Sequence, residues 1–202
     1  MVNWLFHPFA QLTGRRALLP GLVIMLAVAV LARAAGLETD AVLSLHFMDG
    51  LALGTIIGQG LINWLLMVAC LVVAARLLEV KVLDIPALMG TQAFARWPLL
   101  VAVLYLSLPP IAQRMRELTD SLMQVMPTQP GQVISDAAHM ADAFILTAYG
   151  LPVLACLIWM AWLMLQGFAA ATHLSGPRAV FPFAACLLVA HLTSLGLNSL
   201  IS

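Results

Sequence analysis

Apolar residues along this 202-residue chain gather into five long blocks divided by short polar stretches. The blocks lie near residues 17–35, 51–75, 87–112, 141–166 and 180–201. Four of them are about 19 residues long or more, close to the roughly 20 that a membrane-spanning helix needs. The third is harder. Its unbroken apolar run, from Trp97 to Ala112, would reach only about 24 Å at 1.5 Å per residue, against a hydrocarbon core about 30 Å thick. A span here has to begin upstream, near Ala87 or Met89, and Arg96 then falls inside it, a turn or two below the interface.

An arginine at that depth can snorkel to the headgroups or pair with an acid, and Glu79 and Asp84 are the nearest in sequence. Pro98 cannot donate to the carbonyl of Phe94, so the third helix is expected to kink just after Arg96. The competing reading makes residues 84–95 an interfacial helix, with Arg96 and Trp97 as anchors at the end of a span.

Polar positions inside the blocks are few and patterned. Thr55, Gln59 and Asn63 recur every four residues and form one stripe, with Gly54 and Gly58 as a G-x-x-x-G beside it. His191, Ser194 and Asn198 share a face of the fifth block. The fourth carries Thr147, Tyr149 and Gln166, with Gly150 and Pro152 as an expected kink. Such stripes serve either as hydrogen-bonding contact between helices or as the wall of a polar groove. Contact is the commoner use, and it makes Gly54 and Gly58 helix-packing positions and Gln59, Asn63, Arg96, His191 and Asn198 the ligand or helix-contact candidates.

Composition agrees with a lipid environment. Hydrophobic residues make up 63% of the chain and charged residues 9%, whereas soluble domains average roughly 25% charged. Nine basic and nine acidic residues leave no net charge, which gives nucleic acid no electrostatic footprint. With the N-terminus inside, Arg15, Arg16, Arg76, Lys81, Arg96 and Arg178 fall on the cytoplasmic side and Arg33, Arg114 and Arg116 on the other. That asymmetry orients the bundle N-inside, C-outside. A cleaved leader at "TGRRALLPGL" and "LARAAG" is the rival for the first block, but its apolar run is long for a signal. Residues 3–13, "NWLFHPFAQLT", are expected to lie in the interface. The loops at 37–50 and 113–140 are expected outside.

Chemistry-bearing motifs are sparse. No HExxH, G-x-S-x-G or phosphate-binding loop occurs. Asp136, His139 and Asp142 are spaced as metal ligands could be, but acids at a helix start more commonly complement its dipole; His46 with Asp49 is a weaker pair. Cys70, Cys156 and Cys186 lie in apolar blocks and form no C-x-x-C. No cofactor and no metal site are expected.

The segments "LFHPFAQL", "GQGLINWLLMVACLVVAARLL" and above all "GTQAFARWPLL" resemble the Yip family, the Ypt/Rab-interacting five-span membrane proteins, in its bacterial branch. The resemblance implies five helices with a cytoplasmic N-terminus and supplies no catalytic residue. The expected fold is thus an all-α integral membrane protein, a single domain of five transmembrane helices in a bacterial inner membrane. The expected function is a non-enzymatic one, organising membrane or partner proteins, or further copies of the chain, through helix faces among membrane lipids. A small permease or lipid-handling protein with a polar intramembrane cavity is the alternative.

Overall fold

The structure is a computed structural model and describes residues 15–39, 41–47, 50–125 and 137–200. It is mostly helical. The elements are α1 (Arg15–Ala35), a two-stranded hairpin β1 (Leu37–Glu38) and β2 (His46–Phe47), α2 (Leu53–Leu77), α3 (Ile85–Phe94), α4 (Trp97–Leu106), α5 (Pro109–Val125), α6 (Ala137–Thr172) and α7 (Pro177–Asn198). Five stretches are long and apolar enough to cross a membrane: Arg16–Ala35, Leu53–Leu77, Ile85–Leu106, Thr147–Thr172 and Pro177–Asn198. The expected N-terminal segment at 3–13 lies outside the described residues.

The third span is the centre of the bundle. Some 67% of its most apolar stretch is buried, against 22% to 39% for the other four. It starts at Ile85, where Asp84 caps the helix by accepting from Ala87 N at 3.0 Å and Pro86 fills a first-turn position that needs no donor. It ends at Leu106, not 112. Pro109 and Pro110 have no N–H with which to continue the ladder, and the chain begins a separate helix there. Between α3 and α4 the chain stays close to helical through Ala95 and Arg96, with Arg96 N bonded to Ala93 O at 3.3 Å and Leu99 N to Arg96 O at 3.0 Å. The bonding thus tightens by one residue just where Pro98 has no donor to give.

Three further expectations change. Residues 113–125, expected as loop, belong to the helix α5. The fourth span is part of a continuous 36-residue helix that begins at Ala137 and carries Pro152 without interruption. The strands Leu37–Glu38 and His46–Phe47 pair as an antiparallel hairpin where a loop was expected, with Leu37 opposite Phe47 and Glu38 opposite His46, and Leu37, Glu38, Thr39, Ala41 and Val42 are buried. Arg116 of α5 holds this end together. It donates through Nη2 to the carbonyl of Ala35, the last residue of α1, at 2.9 Å, and its guanidinium lies 5.2 Å from the centre of the Phe47 ring. A cation at a helix C-terminus both satisfies an orphan carbonyl and complements the dipole.

Close helix contact does not occur at Gly54 or Gly58. A Cβ built at either would meet nothing within 4 Å among the described residues, so their expected packing role is corrected: no neighbouring helix presses on either glycine. Gly21 and Gly167 carry that role. A Cβ on Gly21 would lie 2.6 Å from both Ala93 Cβ and Phe94 N, and one on Gly167 would lie 2.8 Å from Thr91 Cβ and Oγ1. The first half of the third span is thus gripped by a glycine of α1 on one side and a glycine of α6 on the other. Two hydrogen bonds reinforce the grip, Gln92 Nε2 to Met164 O at 2.8 Å and Trp64 Nε1 to Met89 O at 3.2 Å.

Gly21→Ala should therefore cost about 1–3 kcal/mol or more, since the clash is with backbone and cannot be relieved by a rotamer change. Gly58→Ala should be neutral or should stabilise by up to about 1 kcal/mol through helix propensity. Thermal unfolding of both variants in detergent checks the pair; the reverse order would return the packing role to Gly58.

Candidate functional site

Two polar features lie inside the bundle, and they sit next to each other. The first is built on the α2 stripe. Gln59 and Asn63 are one turn apart on the same face and both fully buried. Gln59 Nε2 donates to Glu38 Oε1 at 2.6 Å, Asn63 Nδ2 donates to the carbonyl of Thr39 at 3.0 Å, and Asn198 Nδ2 donates to Asn63 Oδ1 at 2.9 Å. On the α7 face, His191 Nδ1 accepts from the backbone N–H of Leu43 at 3.4 Å. The stripe is thus a latch that ties the hairpin segment to α2 and α7, and four of the five candidate residues belong to it.

Non-helical backbone inside an apolar bundle has to find its partners among protein groups. The Thr39 carbonyl finds Asn63, and the Leu43 N–H finds His191. This explains why polar side chains occupy α2 and α7 at Asn63 and His191. Ser194, on the same α7 face, bonds back to the carbonyl of His191 at 2.9 Å instead of crossing to a neighbour.

The second feature is Arg96. It is 5% exposed and is the twelfth residue of a 22-residue span, hence roughly 15 Å from either end. That places it at mid-span, deeper than a turn or two. Neither acid expected to pair with it does so. Asp84 is exposed and caps α3; Glu79 is exposed in a turn with φ 54°. The Arg96 Nε and Nη2 atoms are shielded from solvent and have no hydrogen-bond partner among the described residues. The interfacial-helix reading fails as well, because Gly90 through Phe94 are all buried.

Arg96 lines a cavity of about 130 Å³ between α1, α2 and the third span. Leu22 and Leu26 of α1, Ile57 and Leu61 of α2 and Leu99 form much of its wall, and Thr39 from the hairpin segment completes it. The volume is comparable to the ~150 Å³ of cavities that hold a benzene-sized guest. It suits one head group or a few methylenes. A guanidinium offers five donors in a planar fork, and Nε with Nη2 form the edge that matches two oxygens of a carboxylate or phosphate. What the arrangement can do is hold an anion in an otherwise apolar setting.

Glu38, Thr39, Gly21 and Gly167 were not indicated by the pattern of the sequence. Glu38 and Thr39 stand in a stretch that reads as external loop, and isolated glycines carry no spacing signal. The candidate triad Asp136, His139 and Asp142 and the pair His46 and Asp49 fall outside the described side chains. Among the described residues no group of three or more His, Cys, Asp or Glu is placed to hold a metal.

Removing an unpaired buried charge should not cost stability. Replacing Arg96 by Met should leave the melting temperature in detergent unchanged or higher, because an isolated buried ion carries a desolvation penalty of several kcal/mol. Asn63→Leu should lower it, by about 0.6–2 kcal/mol for each interhelical bond lost. A large drop for Arg96→Met would reveal a structural partner for the guanidinium. No family model matches the chain, and no curated protein and no solved structure is found similar to it, so the chemistry of this site is read from its own residues.

Proposed function

We propose that this integral membrane protein is a non-catalytic, lipid-handling protein whose Arg96 site takes the anionic group of a ligand inside the bilayer. One observation carries the reading: a mid-span guanidinium, buried and with two unpartnered nitrogens, lines a cavity. Ionisable groups at such depth are costly and characteristically mark binding sites or pathways. The stripe at Gln59, Asn63 and Asn198 supports this reading only indirectly. Its amide N–H groups hold the hairpin segment and each other, which makes the stripe chiefly structural contact, although Gln59 Oε1 is buried without a hydrogen-bond partner among the described residues.

The second reading is a Yip-like organiser of partner proteins in a bacterial inner membrane. The resemblance at residues 89–100 and the five spans support it. Under that reading Arg96→Gln leaves partner capture unchanged.

The proposed orientation keeps the N-terminus inside. With Arg96 at mid-span it drops out of the charge count, leaving Arg15, Arg16, Arg76, Lys81 and Arg178 against Arg33, Arg114 and Arg116, still the asymmetry the positive-inside rule asks for. Reporter fusions after Ser202 and within residues 126–136 should both read as external, and a cytoplasmic signal from either overturns the orientation.

The functional test is thermal unfolding of the purified protein titrated with anionic amphiphiles. A ligand bound only by the folded state adds about 2.7 kcal/mol at a hundredfold excess over its Kd. The wild type should gain this stabilisation and Arg96→Gln should not. Equal gains in the two proteins would remove Arg96 from the function.

A further inference from the structure

The Arg96 cavity has a direction of entry. Its wall residues Leu26 and Leu61 are also 53% and 39% exposed on the outside of the bundle, so the mouth lies on the apolar surface between α1 and α2. Gly60, also in the wall, leaves the space in front of its Cα open within 4 Å. Leu26 is the eleventh of the 20 residues in its span, which sets this opening near mid-depth, level with Arg96.

The other sides are closed by contacts already described. Toward the hairpin, Thr39 is itself wall, pinned by Asn63, and the adjacent Glu38 is pinned by Gln59. At the opposite end, next to Leu22, the backbones of α1 and α3 meet at Gly21 and Ala93. Toward the bundle axis, Leu99 and Arg96 itself complete the enclosure.

We infer that this cavity is a lateral-entry site for a singly charged anionic amphiphile, reached from the hydrocarbon between α1 and α2 and not from water. The inference rests on the anion-binding reading of Arg96 and adds the ligand class and the route. Apart from Arg96 and Thr39 the wall is hydrocarbon, so a hydrated ion would give up its water shell for one cation only. An amphiphile leaves its chain in the lipid and brings in just its head. One guanidinium neutralises one negative charge, and among the described residues no other cation lines the cavity to compensate a second. The head chemistry that fits is a monoanionic group with two oxygens, a carboxylate or a phosphodiester. Seating it needs only a turn of the guanidinium that presents the Nε–Nη2 edge to the cavity.

The experiment uses the full chain in phosphatidylcholine nanodiscs with a photoactivatable fatty acid as probe, read by labelling of α1 and α2 peptides. Labelling should saturate and should be displaced by oleate or dioleoyl phosphatidylglycerol. Acetate and dimethyl phosphate, which carry a carboxylate and a singly charged phosphodiester in water, should not displace it at millimolar concentration. Arg96→Gln should reduce labelling at least tenfold. Leu61→Trp and Leu26→Trp, which fill the mouth from lipid-facing positions, should each do so too while melting like the wild type. If the water-borne anions displace the probe as well as oleate does, or if both tryptophan variants label normally, lateral entry is wrong while the anion site stands. If Arg96→Gln labels like the wild type, both readings fall.

Discussion

Close approach between helices at Gly21 and Gly167 is the constraint on which the rest of this bundle depends. Lipid tails are as apolar as leucine, so spans gain little by hiding hydrophobic surface from one another and associate through close packing and hydrogen bonds. The third span is the one that can be gripped. Gly90, Thr91 and Ala93 give its first half a narrow profile, and a missing Cβ on each flanking helix lets α1 and α6 close on it. Gln92 and Trp64 then add directional bonds that fix rotation as well as distance. A helix held on two sides in this way cannot rotate to let a polar residue reach lipid or interface.

The burial of Arg96 follows from that grip. The residue comes two positions after Phe94, whose backbone touches Gly21, and the helical bonding is tightened but not broken through Ala95 and Arg96. Its side chain is therefore delivered to the seam between α1 and α2 at mid-span, too far from either end for a guanidinium to snorkel the roughly 15 Å required. The seam stays open there because Gly60 and the neighbouring aliphatic residues leave space, and the edge toward the hairpin is shut by Thr39. Fold and cavity thus share one cause.

Much of this was legible in the sequence, and the failures have a common physical root. Hydropathy located the spans because length and apolarity are properties of single segments. The length deficit of the third block carried Arg96 inside the third candidate span, Ile85–Leu106, though at its middle and not near its end. The four-residue spacing of Gln59 and Asn63 correctly marked one face, and both are buried. Partners, by contrast, are relations between segments. Glu38 and Thr39 belong to a stretch whose acids read as external, and only the folded chain turns that stretch inward to meet α2. The glycine pattern misled for a related reason. G-x-x-x-G specifies a small surface but not a neighbour, and Gly54 and Gly58 have none within 4 Å. Gly21 and Gly167, each isolated, lie where α3 crosses.

The two buried polar features answer to different requirements. The latch at Glu38, Gln59, Thr39, Asn63 and Asn198 satisfies groups that the fold itself has brought in. Exposed hairpin carbonyls and N–H groups inside an apolar bundle would each cost free energy, and amides at these positions offset that cost. Removing the latch would leave orphans, so its presence is explained by stability. Arg96 has no such account. Nothing in the fold requires a cation at that seam, and a methionine or leucine would fill the same space without the desolvation penalty. Proteins depart from locally consistent sequence chiefly where function demands it. A costly, unpartnered cation beside a cavity, only a few side chains from a latch in which hairpin carbonyl and side-chain groups have found partners, is a departure of that kind, and it is the observation on which the proposed anion-binding role rests.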